Sequence, residues 1–212
     1  TAAFRAAAMR VNMACRFSAI DMADALSRNR LARAAARLNA RLVLMSDDSH
    51  DVLAAAKALR TPSLIILRAR DDKRRAALAK QLIALPHRLL IAGDARLAAA
   101  YGAAGLHLPE VRAAEAPHWR ARHPGWIITT AAHSLGGLLR AGTFGADAVF
   151  LSPVFATASH PGRRALGAAR AALMAAQASL PVYALGGIDA RKAALLLQTR
   201  FQGLAAINAL HT

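Results

Sequence analysis

Two short segments combine residue types that suit the binding of an anion. Gly186 and Gly187 open a predicted helix, where glycine lets an anion approach bare N–H groups and the helix dipole favours negative charge. Arg68 and Arg70 end a predicted strand, in which alternate residues point to the same side. Paired guanidinium groups suit phosphate oxygens. The pattern favours a phosphorylated small ligand over an ordinary glycine turn and two solvated arginines.

The elements that must position these residues repeat along the chain. From Arg41 onward, short apolar runs alternate with helical stretches rich in Ala, Leu and Arg. The predicted strands are 42–45, 63–67, 88–92, 105–108, 126–129, 148–151, 181–185 and 203–207. Continuous apolar strands are typical of a parallel sheet that is buried on both faces. Eight strands alternating with seven helices predict the α/β class and a closed (β/α)8 TIM barrel, with an open doubly wound sheet as the alternative.

The chain divides into a short extension and a barrel domain. Residues 1–38 are basic and Ala-rich, and 24–38 are predicted to form a helix that packs on the barrel. Residues 39–212 are predicted to form the barrel domain, with a short or missing last helix after strand eight. The apolar edge left at that point would be covered by the N-terminal helix or by a second copy in a homodimer.

Composition excludes several classes of protein. The 212 residues carry 28 Lys and Arg against 12 Asp and Glu, a net charge of +16, and 56% are hydrophobic, which excludes a disordered chain. Arginines are scattered and aromatic residues make up only 5%, which argues against a surface that stacks nucleic-acid bases. We therefore expect a solvated basic surface that attracts small phosphorylated ligands, and no nucleic-acid partner.

Membrane insertion and disulfide bonding are not expected. The longest uncharged run, 171–188, contains Pro181 and the Gly186-Gly187 pair, which would interrupt a membrane-spanning helix. The single cysteine, Cys15, excludes an intramolecular disulfide. A reducing, cytoplasmic setting is therefore the default expectation.

The ends of the predicted strands supply further candidate residues. In a barrel of this kind, chemistry gathers where the strands end at their carboxyl side. Asp94 follows strand three, His107 lies in strand four and His133 follows strand five. The backbone at Ile207 and Asn208, after strand eight, would complete the phosphate cup begun by the glycine pair, because barrels often bind phosphate after strands seven and eight.

Three segments, taken in order and spacing, carry a family resemblance. They are GAAGLHL at 102–108, GADAVFLSPVFAT at 145–157 and PVYALGGI at 181–188. Together they resemble the thiamine phosphate synthase family, which includes the TenI-like thiazole tautomerases, and the similarity spans Leu42 to Ala209. The resemblance implies a TIM barrel that couples hydroxymethylpyrimidine pyrophosphate to thiazole phosphate and releases pyrophosphate with the help of Mg²⁺. Tautomerases of the same fold shift a proton on a carboxythiazole phosphate.

The resemblance also assigns roles residue by residue. It keeps Arg68, places Arg70 where the family has Lys, and keeps Asp94 as a metal carboxylate. It places Arg112 at a second metal Asp, to which Glu110 lies close in sequence, and Ala131 at a Ser. The positions that it assigns to substrate phosphate are Gly186, Gly187, Ile207, Asn208, Thr157 and His160, where Asn208 replaces a Ser and His160 a Lys.

Three functions follow as alternatives. The first is a thiamine phosphate synthase that uses Arg68, Arg70, Asp94 and Mg²⁺. The second is a thiazole phosphate isomerase in which His133 moves a proton, a role that suits an imidazole near neutral pH. The third is a non-catalytic protein that binds a phosphorylated thiazole or thiamine phosphate.

Overall fold

The architecture is described from a computed structural model of the chain. It describes residues 42–59, 61–157, 164–196 and 199–207. The predicted N-terminal helix at 24–38 and the question of a last helix after strand eight both lie outside these ranges.

Eight parallel strands close into a barrel, which confirms the predicted TIM-barrel fold. The strands are β1 (Leu42–Met45), β2 (Leu64–Leu67), β3 (Arg88–Ala92), β4 (Gly105–Leu108), β5 (Ile127–Ala132), β6 (Ala148–Leu151), β7 (Val182–Leu185) and β8 (Gly203–Ala206). Each pairs with its neighbour in chain order, and β1 closes the ring on β8 with Leu42 opposite Leu204. All eight carboxyl ends therefore lie at one mouth of the barrel.

Helices surround the barrel between successive strands. They are α1 (Val52–Ala58), α2 (Asp72–Leu82), α3 (Ala95–Ala100), α4 (Ala116–Arg122), α5 (Leu135–Thr143), α6 (Ala168–Ala176) and α7 (Ala190–Ala194), with a 3₁₀ helix at Glu110–Glu115 before α4. None of the helices within the described ranges combines the length and the hydropathy that a bilayer crossing requires.

The region before β5 and the end of β5 differ from what the sequence predicts. The sequence predicts one helix over 111–122 that Pro117 should break. Pro117 instead lies in the first turn of α4, where its missing N–H would have had no helical partner. Strand β5 also continues three residues beyond its predicted end at Thr129, pairing with β6 as far as Ala132. This extension carries the chain to His133 at the mouth.

Alternation along the strands divides the core into an inner and an outer layer. The inner layer is apolar and fills the barrel with side chains such as Val43, Met45, Ile66, Phe150 and Tyr183. Intervening residues such as Leu44, Ile65 and Val149 face outward and pack against the helices. Burial of each large aliphatic side chain contributes about 1.5–3 kcal/mol to the free energy of unfolding. The two packed layers therefore hold the strand ends at the mouth in place.

Gly105 at the start of β4 leaves room for the backbone of β5. A Cβ at this position would lie 1.9 Å from the carbonyl oxygen of Ile127. We expect Gly105→Ala to lower the free energy of unfolding by about 3 kcal/mol, because the clash is with strand backbone. Gly125→Ala, which meets no atom within 4 Å, should change it by less than about 0.5 kcal/mol. Urea unfolding of both variants checks this, and equal stabilities would contradict it.

Candidate active site

A cavity of about 390 Å³ opens at the carboxyl ends of the strands. Its wall combines cationic, apolar and glycine residues from the ends of all eight strands. They are Met45, Arg68, Arg70, Ala92, Gly93, His107, Pro109, Ala131, His133, Phe150, Ser152, Pro153, Thr157, Leu185, Gly186 and Ile207. The side chains that enter the cavity are therefore held by the barrel wall itself.

The structure brings most of the predicted site residues to this cavity. Those that line it are Arg68, Arg70, His133, Thr157, Gly186 and Ile207. Gly187 follows directly in the loop after β7, and Asp94 caps the neighbouring helix α3 outside the cavity lining. Asn208 and His160 lie outside the described residues.

The two arginines after β2 differ in their surroundings. The backbone N–H of Arg68 donates to Ser46 Oγ at 2.7 Å. The guanidinium Nη1 of Arg68 lies 3.0 Å from Met45 Sδ. Burial lowers the pKa of Arg68, and the nearby Asp47 opposes that shift. Arg70 is 93% exposed, and its Nε lies 3.6 Å from Asp48 Oδ2. Arg68 is thus a guanidinium held in the wall, and Arg70 is an exposed positive charge at the rim.

Both glycines after β7 are required by the close approach of the loop after β6. Gly186 and Gly187 have φ angles of +99° and +61°, which side chains rarely adopt. A Cβ at Gly187 would lie 2.1 Å from the carbonyl oxygen of Ala156. The N–H groups of both glycines and of Ile207 donate to no acceptor among the described residues. These N–H groups remain available to an anion.

The end of helix α7 differs from the prediction that it would supply its N-terminus to an anion. The helix begins at Ala190, and the Asp189 carboxylate accepts a hydrogen bond from the Lys192 N–H at 2.8 Å. Lys192 Nζ also lies 2.9 Å from Asp189 and donates to the Gly187 carbonyl at 3.0 Å. The protein's own carboxylate caps this helix, so the glycine N–H groups, and not the helix N-terminus, are the groups in this loop left for an anion.

The region around Asp94 is occupied by ion pairs. Asp94 Oδ1 accepts from the Leu97 N–H at 2.9 Å, and Oδ2 accepts from Arg75 Nη2 at 3.1 Å. Arg112 lies where the family resemblance places a second metal-binding Asp. It donates to the Gly93 carbonyl and forms a bidentate ion pair with Glu115. The sequence does not predict this contact of Arg75, whose only local signal is its place in the first turn after an Asp pair.

These contacts do not fit a complete Mg²⁺ site. Mg²⁺ prefers carboxylates and water in octahedral geometry, whereas here one carboxylate faces a guanidinium. Within ranges 42–59, 61–157, 164–196 and 199–207, no three His, Cys, Asp or Glu side chains are grouped so as to hold a metal. Mg²⁺ therefore stays a prediction.

Glu110 lies against His133 rather than near Asp94. Its Oε2 is 2.7 Å from His133 Nδ1 and accepts the His133 N–H at 2.8 Å. Its other oxygen accepts from Arg140 at 3.2 Å. The ring nitrogen Nε2 of His133 is left for the cavity that this residue lines.

His107 forms part of the cavity floor as a neutral ring. Its Nδ1 lies 2.9 Å from Thr129 Oγ1, and its ring meets Phe150 edge-on with centroids 5.4 Å apart. Burial, with a smaller contribution from Arg68, lowers the pKa of His107 from its ordinary 6.5 to about 3. The floor is therefore uncharged at neutral pH.

Fold and site together define a (β/α)8 barrel with a cationic cavity at the mouth, where enzymes of this fold have their active sites. The family model described as thiamine monophosphate synthase matches residues 39–210. The chain belongs to this family, which confirms the resemblance found in the three sequence segments. Membership places it among the transferases of thiamine biosynthesis, which handle small phosphorylated precursors.

Two relatives share substantial identity with the chain. The Aquifex aeolicus protein named thiamine-phosphate synthase 2 is 34% identical over 151 residues, covering 68% of this chain and 81% of that protein. The thiamine-phosphate synthase of Methanoculleus marisnigri is 38% identical over 122 residues, covering 53% of this chain and 54% of that protein.

Solved structures show the same fold. The thiamine phosphate pyrophosphorylase from Pyrococcus furiosus superposes with a TM-score of 0.67 at 23% identity, covering 82% of this chain and 88% of that chain. A KDPGal structure superposes with a TM-score of 0.57 at 14% identity, covering 78% and 81%. At these identities the likeness is one of fold.

Substitution of Asp94 separates its capping role from its ion pair. Asp94→Ala removes both the helix cap and the partner of Arg75, and we expect the free energy of unfolding to fall by about 1–2 kcal/mol. Asp94→Asn keeps a good capping side chain and should lose less. Urea unfolding measures the difference, and an equal loss in the two variants would show that the cap contributes nothing.

The neutral state of His107 predicts a pH-dependent stability. The unfolded chain binds a proton at this residue below pH 6.5, whereas the folded protein does so only near pH 3. The free energy of unfolding should therefore fall as pH drops below 6.5, by about 1.4 kcal/mol per pH unit from this group. The stability difference between the parent protein and His107→Asn, measured by urea unfolding at pH 7, 6 and 5, should shift accordingly. A difference independent of pH would refute it.

Proposed function

We propose that the chain couples hydroxymethylpyrimidine pyrophosphate to thiazole phosphate, forming thiamine phosphate and releasing pyrophosphate. The observation that carries this proposal is the position of Arg68 and Arg70, which both line the mouth cavity of a chain that belongs to the thiamine monophosphate synthase family. The names of the two relatives support the same reaction.

Two parts of the rim would hold the two anionic groups. Gly186, Gly187 and Ile207 offer backbone N–H groups for the thiazole phosphate, and Thr157 lines the cavity beside them. The resemblance adds Asn208 and His160 to this set. Arg68 and Arg70 would hold the pyrophosphate, since guanidinium groups match phosphate oxygens in geometry and charge.

The transfer step needs stabilisation of a leaving group. The bond between the pyrimidine methylene carbon and the pyrophosphate oxygen breaks, and the oxygen keeps the electron pair. The thiazole nitrogen then donates its lone pair to the resulting pyrimidine cation and forms the new C–N bond. Arg68 is fixed in the wall before substrate arrives, so it can stabilise the negative charge that develops on the departing oxygen without reorganisation.

The remaining expectations from the sequence belong to this proposal. Small phosphorylated substrates and the absence of a nucleic-acid partner accord with the basic, aromatic-poor composition, and a cytoplasmic setting accords with the single cysteine. A homodimer is a further part of the proposal. Mg²⁺ would have to arrive largely on the pyrophosphate itself, because the carboxylate of Asp94 already faces Arg75.

A second reaction is favoured by a separate observation. The contact between Glu110 and His133 Nδ1 leaves the other ring nitrogen for the cavity, as a proton transfer requires. In that case the chain would isomerise a thiazole phosphate as the TenI-like tautomerases do. Tight binding of thiazole phosphate without turnover would identify the third alternative, a non-catalytic binder.

A thiochrome fluorescence assay tests the synthase reaction. Purified protein is mixed with both substrates, with Mg²⁺ or with EDTA. We expect Arg68→Ala to lower kcat by a factor of about 10²–10³, which is typical for the loss of one preorganised donor. Arg88→Ala is the matched control, because Arg88 is exposed at the opening residue of β3, at the far end of the barrel. No product from the parent protein with Mg²⁺ present would refute the synthase function.

A further inference from the structure

Three elements converge on the carboxylate of Glu110. The 3₁₀ helix supplies Glu110, the end of β5 supplies His133 and α5 supplies Arg140. One carboxylate oxygen accepts both the N–H and the ring Nδ1 of His133, at 2.8 and 2.7 Å, and the other lies 3.2 Å from Arg140. The Glu110 side chain is 18% exposed, so most of its surroundings are protein.

These contacts determine which ring nitrogen of His133 can meet a ligand. A carboxylate accepts hydrogen bonds, so the Nδ1 that lies beside it carries the proton in the neutral ring. The lone pair of that ring then lies on Nε2. Because the same oxygen also holds the His133 backbone, the side chain is restrained at two points, and Nε2 is the ring nitrogen that remains for the cavity.

The chain also leaves space for this carboxylate. Gly137, in the first turn of α5, faces it so closely that a Cβ there would lie 2.1 Å from Glu110 Oε1 and 2.6 Å from its Cδ. The backbone at Gly137 is ordinary helix, so the requirement for glycine comes from the carboxylate and not from the turn. The Glu110 carboxylate is therefore positioned by packing against α5 as well as by its contact with His133.

We propose that Glu110 is a positioning residue that fixes the Nδ1–H tautomer of His133 and directs its Nε2 lone pair at a ligand in the cavity. The ligand class, a thiazole phosphate, and the proton transfer rest on the second proposed reaction, the isomerisation. Nε2 would take a proton from one atom of the thiazole ligand, and the electron pair of the broken bond would stay in the thiazole ring. Nε2 would then return the proton to a different atom of the ligand. The imidazolium formed in between is stabilised by Glu110, and no oxidant or second reactant is needed.

Other charged groups near the ring do not replace this role. Arg140 lies on the far oxygen of Glu110, and Arg68 and Arg70 line the same cavity as His133. All three are cations, which cannot accept the Nδ1 proton. His107, the remaining titratable group of the lining, is engaged with Thr129.

Long-range ¹H–¹⁵N spectra of the histidine rings test the proposal on the full chain, with His133→Gln to assign the signals. The parent protein should show the neutral Nδ1–H form. Glu110→Ala and Gly137→Ala should both move it towards the Nε2–H form, the second by displacing the carboxylate without removing its charge. Gly136→Ala is the matched control in the same helix, where the added Cβ lies 3.3 Å from the flexible end of Arg140 and 4.0 Å from Ser134 Oγ, without touching Glu110. An unchanged tautomer in both variants would overturn the proposal.

Spectra recorded with added thiazole phosphate distinguish failure of this proposal from failure of the proposed function. Thiazole phosphate should shift the His133 Nε2 signal of the parent protein. If other signals move and that of His133 does not, the ring does not face the ligand and the proposal fails. If no signal moves, the proposed function fails, and the tautomer spectra alone decide the role of Glu110. Where isomerisation is measurable, Glu110→Ala and Gly137→Ala should lower kcat at least about tenfold at unchanged KM, with Gly136→Ala within about twofold.

Discussion

Closure of the barrel between β1 and β8 is the constraint on which the rest of the structure depends. Because every strand is parallel to its neighbours, pairing of Leu42 with Leu204 brings the carboxyl ends of the first and last strands together. The mouth then collects groups that are distant in sequence, from Met45 after β1 to Ile207 after β8. Parallel ladders and a filled interior keep the rim rigid, so functional side chains are placed by the wall and not by mobile loops.

Charge at the mouth is divided into paired and unpaired cations. Arg75 and Arg112 are held by Asp94 and Glu115 around the start of α3, and the Arg112 pair holds the pKa of Glu115 near 2. The Arg68 guanidinium instead contacts the sulfur of Met45, and the nearby Asp47 and Asp48 form no ion pair with it among the described residues. A chain with a net charge of +16 thus presents to the cavity only some of its arginines, and those are the ones that Coulomb attraction leaves for an anion.

The fold could be predicted almost entirely from the sequence, and the site only in part. Apolar runs bounded by Gly, Pro and polar residues indicate eight buried strands, and their ends then indicate Arg68, Gly186 and His133. Side-chain contacts between residues that follow different strands have no comparable signal in the local sequence. Glu110 follows Arg68 by 42 positions, and nothing in its local pattern shows that it contacts His133, 23 residues later, and not a metal. The partnership of Arg75 with Asp94 is equally non-local, because it depends on how α2 and α3 pack on the barrel.

The neutral ring of His107 influences the orientation in which a ligand binds in the cavity. With Met45, Phe150 and Leu185 it makes an uncharged lining, whereas Arg70 places a positive charge in nearly full contact with water. Polarity is therefore graded along the depth of the cavity. A molecule with a heteroaromatic head and an anionic tail has one low-energy orientation, head inward, before any particular hydrogen bond is formed. The reversed pose would place the anionic tail against this apolar lining, so solvation adds to the charges of Arg68 and Arg70 in distinguishing the two ends of the ligand.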